Sequence, residues 1–86
     1  MSSKLSTIEN TLIQKRPLIC GGDACIRDTR IPVWSVVQAH RLGTSADALL
    51  THFVTPLTPA DVRAALKYYQ ENVEEIDTEI RLNEEA

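Results

Sequence analysis

The residues best equipped for chemistry are two cysteines and two histidines, Cys20, Cys25, His40 and His52. As a zinc set they are poor. The Cys-x4-Cys spacing is loose beside Cys-x2-Cys pairs, and the histidines fall in different predicted helices, so no metal or other cofactor is expected. Cys20 and Cys25 read better as small buried apolar side chains, one on each arm of a hairpin. A disulfide between them is disfavoured in a reducing interior. His40 falls on the apolar face of a predicted helix, the setting of a hydrogen-bonded core histidine, and His52 belongs at the surface or a helix end. Gly21-Gly22 lacks the Lys-Ser/Thr of a phosphate-binding loop. No Ser or Cys has a His in a nucleophile context, and the carboxylates gather near the C-terminus, so the chain is not expected to be an enzyme.

Other residues suit binding. Arg30, beside Thr29 in a predicted turn, could grip a carboxylate or phosphate bidentately, or pin the turn to backbone carbonyls or to Asp28. On the last predicted helix, Arg63, Lys67 and Tyr68 could meet phosphates or bases, with Asp61, Glu71 and Glu74 nearby opposing such contact. Trp34 and Tyr69 are candidate interface anchors.

The chain has 86 residues, a net charge of −3, 43% hydrophobic and 24% charged residues. That bounds it to one globular domain, burying about 60–65% of its unfolded surface and standing to gain from a partner subunit. Aromatics are only 5%, so the core must be aliphatic. Charge is unevenly placed. From Lys15 to Arg41 there are five bases against two acids, and from Glu71 onward seven acids against one base, Arg81. This asymmetry suits separate faces for anionic and basic partners, or simply a solubilising acidic tail. The first residues lack the apolar run of a secretion signal and nothing is long enough to span a bilayer, so a cytoplasmic protein without membrane contact is expected.

The elements that must position these residues follow from pattern. Residues 1–10 are polar and read as a flexible segment, and residues 11–86 as a single domain. Leu18–Cys20 and Ala24–Ile26 flank Gly21-Gly22-Asp23, a hairpin signal spanning about 18–33. Ile31-Pro32-Val33 is an edge strand or a lead-in to a helix, since Pro32 has no N–H to give a ladder. Val33, Val36, Val37 and His40 share one face of a helix over about 33–43, ended by Gly43. A second helix over about 45–53 is capped by Thr44 or Ser45, with Asp47 in its first turn. A third, over about 59–82, starts at Thr58 with Pro59 at the first helical position and Asp61 as the capping-box acid. Its stripe of Val62, Leu66, Tyr69, Val73, Ile76 and Ile80 is heptad-like. One straight helix of that length is roughly 36 Å long, against a domain diameter near 30 Å. Val73, Ile76 and Ile80 would then overhang and need a second chain, which favours a homo-oligomer, a dimer first.

The segment from Gly21 to Trp34, with its Asp28-Thr29-Arg30-Ile31-Pro32-Val33 core, resembles the signature of the family catalogued as domain of unknown function 433. Leu42-Gly43 and Leu57-Thr58-Pro59-Ala60-Asp61-Val62 match the same layout, over roughly residues 12–70. Two departures stand out. Asp28 occupies the usual Gly, a position where Asp tolerates left-handed backbone, and Asp23-Ala24 replaces a basic residue followed by Pro. The resemblance implies a mostly α, homeodomain-like three-helix (helix-turn-helix) domain with a short N-terminal β-hairpin and a long C-terminal helix. It also implies an antitoxin-like partner of a PIN-like nuclease toxin. The expected function is neutralisation of such a toxin by the C-terminal helix and acidic tail, with truncation after Gln70 leaving the core folded. The alternatives are dimeric, autoregulatory DNA binding through Arg30, Arg63, Lys67 and Tyr68, and a homo-oligomeric interaction module of unassigned role.

Overall fold

The computed structural model describes residues 12–16, 18 and 22–85. The expected flexible segment 1–10 and Cys20 lie outside them. Strand β1 (Ile13–Lys15) runs antiparallel to β2 (Ala24–Ile26), with Ile13 opposite Ile26 and Lys15 opposite Ala24. The arm paired with β2 is thus Ile13–Lys15; of the expected arm Leu18–Cys20 only Leu18 lies among the described residues, and it is exposed. β2 is fully buried. Cys25 at its centre is buried as expected but disulfide-bonded, correcting the expectation of a reduced thiol.

After β2 the chain reverses in a tight turn organised by Thr29, which is 8% exposed. Its hydroxyl donates to the Ile26 carbonyl and accepts the Ile31 N–H at 3.1 Å, and Ile26 N–H in turn reaches the Ile31 carbonyl at 2.9 Å. The left-handed residue of this turn is Arg27, with φ +44°, one position before Asp28. Pro32 then serves both roles open to it. It bridges Cys25 as an edge residue and stands at the N-cap of helix α1 (Val33–Arg41).

α1 buries Val33, Val36 and Val37. It closes in a Schellman turn, with Gly43 at φ +114° and the Gly43 and Thr44 N–H groups reaching the His40 and Ala39 carbonyls at 3.1 and 3.0 Å. His40 is exposed rather than a core residue. It lies one turn beyond the valines that cover the core, and its Nδ1 sits 3.0 Å from the Thr44 carbonyl. Helix α2 (Ala46–His52) is capped by Ser45, whose hydroxyl accepts the Ala48 N–H at 3.1 Å. Helix α3 (Pro59–Glu71) opens with a complete capping box between Thr58 and Asp61.

The expected single long helix is two. α3 ends at Asn72, with φ −141° and ψ 49°, and helix α4 (Val73–Glu85) sets off in a new direction. Asn favours such breaks because its side chain competes for backbone groups. Here Asn72 Nδ2 donates to the Tyr68 carbonyl at 3.0 Å and its N–H to the Tyr69 carbonyl at 3.1 Å. α4 folds back onto α1, so Ile76 and Ile80 are buried inside the chain's own core at 0% and 5% exposure. Burying two isoleucines contributes about 1.5–3 kcal/mol each, a large share of what a domain this small can muster. The core is aliphatic throughout, with Ile26, Val36, Leu49 and Ile76 among its most buried members.

Candidate functional site

One buried carboxylate organises the end of the molecule where the basic residues lie. Asp61, 0% exposed, accepts Thr58 N–H at 2.9 Å while Arg27 donates to it bidentately, Nε at 2.8 Å and Nη2 alongside. Burial alone would raise the Asp61 carboxyl. Hydrogen bonds from Arg27 and Thr58 outweigh it and hold the group below the usual carboxylate range. The same pairing raises Arg27 further above its ordinary value. Behind it, Arg16 Nη2 donates to the Arg27 and Thr29 carbonyls at 3.0 and 3.3 Å. The pinning of the turn considered for Arg30 thus belongs to Arg16 and Arg27. Arg30 is exposed, and the turn that carries it is tied through Arg27 to the first turn of α3.

With Asp61 turned inward, α3 presents Pro59, Arg63, Lys67, Gln70 and Glu71 outward, all exposed. The acid expected to oppose Arg63 and Lys67 at the helix start is neutralised in the interior, and Glu74 lies beyond the Asn72 break. Between α2 and α3 runs an apolar cleft of about 230 Å³ lined by Ala46, Leu50, Pro59, Val62 and Leu66, with Asp47 and Arg63 as its charged members. Tyr68 departs from the expected DNA face. It is half-buried, its hydroxyl donates to Glu75 at 3.0 and 3.1 Å, and burial with that partner raises its pKa.

The expected interface set separates. Trp34 is half-buried and lines an open groove with Gln38, Leu42, Thr44, His52 and Phe53. Tyr69 donates to Asp77 Oδ1 at 2.9 Å, a bond that raises the phenol, and Arg41 pairs with the same oxygen at 3.0 Å. Val73 is 43% exposed, whereas Ile76 and Ile80 are core residues and unavailable to a partner. The overhanging stripe does not exist, because the bend at Asn72 gives those side chains to α1.

Sequence reasoning missed a second constellation. Glu75 pairs with Lys15 Nζ at 3.1 Å, raising the lysine, and Glu79 lies one turn later with its Oε1 buried and without a hydrogen-bond partner. Burial, with Asp23 and Glu75 beside it, pushes Glu79 up to about 7. The i, i+4 spacing of Glu75 and Glu79 was visible, but not their facing the hairpin. Among the described residues no group of His, Cys, Asp and Glu is placed to hold a metal ion. No helix of the described residues is long and apolar enough to cross a membrane.

The family model described as Protein of unknown function (DUF433) matches residues 13–69, more than half of the chain. The chain belongs to the DUF433 family. The match takes in the hairpin, the Thr29 turn, α1, α2 and most of α3, with α4 beyond its end. The crystal structure of a DUF433 member protein from Anabaena variabilis is similar at a TM-score of 0.78 and 40% sequence identity, over 93% of this chain and 78% of that one. No curated protein matches the chain. The described residues of this DUF433 chain are mostly helical, four helices with a short antiparallel hairpin toward the N-terminus.

Proposed function

We propose that this DUF433 protein is a DNA-binding protein that lays the outer face of α3 against the duplex. The observation carrying the proposal is the inward turn of Asp61, which leaves Arg63 and Lys67 as the charged groups along the first three turns of that face. α2 and α3 are joined as a helix–turn–helix, and the turn held to α3 by Arg27 adds Arg30 at the same end. Three cations per protomer suit phosphates, and a symmetric dimer would double them. The test is fluorescence anisotropy with duplex DNA from upstream of the protein's own gene, repeated across salt. Three phosphate contacts give a slope of log K against log salt of about −3 per protomer, or about −5 for a dimer. Arg63→Ala and Lys67→Ala should each weaken binding and flatten the slope by about 1. A flat salt dependence refutes the reading.

A second reading, an antitoxin-like role, is favoured by the acidic outer surface of α4. Glu74 and Glu84 are exposed on this helix, as are Val73 and Leu82. An acidic, partly apolar helix face suits the basic cleft of a PIN-like nuclease toxin, which it would block by charge and bulk. Tagged protein purified from its native host should bring down such a nuclease at stoichiometric yield, and Glu74→Lys with Glu84→Lys should abolish the capture. Recovery of the protein with nucleic acid alone would leave the DNA reading standing and sink this one.

A further inference from the structure

α1 has a second side, which neither the outer face of α3 nor the acidic surface of α4 includes. Its inward side is taken by Val33, Val36 and Val37. Beside them, Trp34, Gln38 and Leu42 line a groove of about 290 Å³ together with His52 and Phe53 from the end of α2. Trp34 and Phe53 rest half-buried against the core, and the His52 ring stands edge-on to Phe53 at a centroid distance of 4.8 Å. The groove is therefore walled by aromatic rings that the core holds in place. Leu42, one of its lining residues, is 79% exposed, and Val54, next after Phe53, is fully exposed. Large aliphatic side chains standing in water beside an aromatic groove are what a partner surface covers.

Charge and shape together select the occupant. Among the described residues that line the groove there is no Asp, Glu, Lys or Arg, and His52 is the one titratable group. Arg41, the charged residue nearest on α1, is engaged with Asp77 of α4. A nucleic acid, or a strongly acidic or basic protein, finds no counter-charge here. A second copy carries the same net charge of −3, so two copies approach with least repulsion through a face that bears no charge of its own. An isologous contact also needs projection and recess on one surface, because each copy must supply what the other receives. Leu42 and the groove beside it meet that condition. We propose that this face is the seam of a symmetric dimer, in which Leu42 of each copy enters the groove of the other against Trp34 and Phe53. A desolvated tryptophan at the centre is the usual anchor of such a contact. The seam leaves Arg63 and Lys67 exposed on α3, and it stands or falls independently of what α3 binds.

The chain has a single tryptophan, so Trp34 reports on the seam directly. The experiment is sedimentation equilibrium of the full chain over a dilution series, with tryptophan emission followed across the same concentrations. The mass should rise with concentration to twice the chain's 9.6 kDa, and the emission should move to the blue in step with it. Leu42→Lys changes a side chain too exposed for the fold to depend on it. It should weaken the dimer at least about 30-fold and keep the emission at its dilute value. Leu82→Lys, an equivalent change at an exposed leucine of α4, should leave the dimer as tight as before. A chain that stays monomeric throughout, an emission unchanged by dimerisation, or a dimer unaffected by Leu42→Lys would each overturn the seam. Emission that responds only to an added protein of another sequence would assign the groove to that partner and overturn it as well. The wild-type dilution decides alone if the variant does not fold.

Discussion

Removing the guanidinium of Arg27 tests the organisation of the basic end most directly. Arg27→Ala leaves the fully buried Asp61 carboxylate with only the Thr58 N–H as a local donor. Stranding one member of a buried ion pair costs about 3–5 kcal/mol. The Arg27 side chain is 31% exposed, so water already screens part of its charge, and the lower end applies, about 3 kcal/mol. The backbone adds a second effect of opposite sign. Arg27 sits at φ +44°, where a side chain costs about 1 kcal/mol and glycine costs nothing. Arg27→Gly should therefore lose only about 2 kcal/mol. At 4–8 °C per kcal/mol for a domain this size, alanine should lower Tm by roughly 12–24 °C and glycine by roughly 8–16 °C. Urea denaturation and calorimetry at pH 7 read both. Because the Asp61 carboxyl is held below its ordinary value, its contribution is present above about pH 4 and vanishes as pH falls through the folded-state value. Arg27→Ala should flatten that acid limb. A loss under about 0.5 kcal/mol for alanine, or glycine no better than alanine, refutes the reasoning.

Ile76→Ala should cost about 2–4 kcal/mol by cavity formation, and truncation after Gln70 should yield a chain without a cooperative thermal transition rather than a folded core. Both are read by circular dichroism melts. Gly43→Ala should lose about 1 kcal/mol by backbone strain alone, since space around Gly43 is open, and a neutral result would mean the helix end relaxes out of its left-handed turn.

What local chemistry fixes was legible in the residues. Thr58, Pro59 and Asp61 announced the start of α3, Ser45 was one of two caps named for α2, and Gly43 marked the end of α1. What depends on contact between distant segments was not. Periodicity ran straight through Asn72, because a stripe at helical spacing is equally consistent with one long helix and with two that share a core. The dimer argument built on Ile76 and Ile80 failed for that reason. Arg30 drew notice beside Thr29 in a predicted turn, whereas Arg16 and Arg27, which make the bonds, acquire their roles from residues 11 to 34 positions away. Asp61 showed its capping role but not its burial, and burial is what changes the reading of the α3 surface.

The double duty of Asp61 also bears on the order in which the protein assembles. Its bond to Thr58 is three residues long and forms as soon as α3 nucleates, while its bonds to Arg27 close a loop of 34 residues. Loop closure of that length is an entropic cost met late, once the hairpin and the helix each exist. Substitutions at Thr58 should then slow folding, and those at Arg27 should mainly speed unfolding. One carboxylate would report two moments of the same reaction, read from opposite arms of a chevron plot.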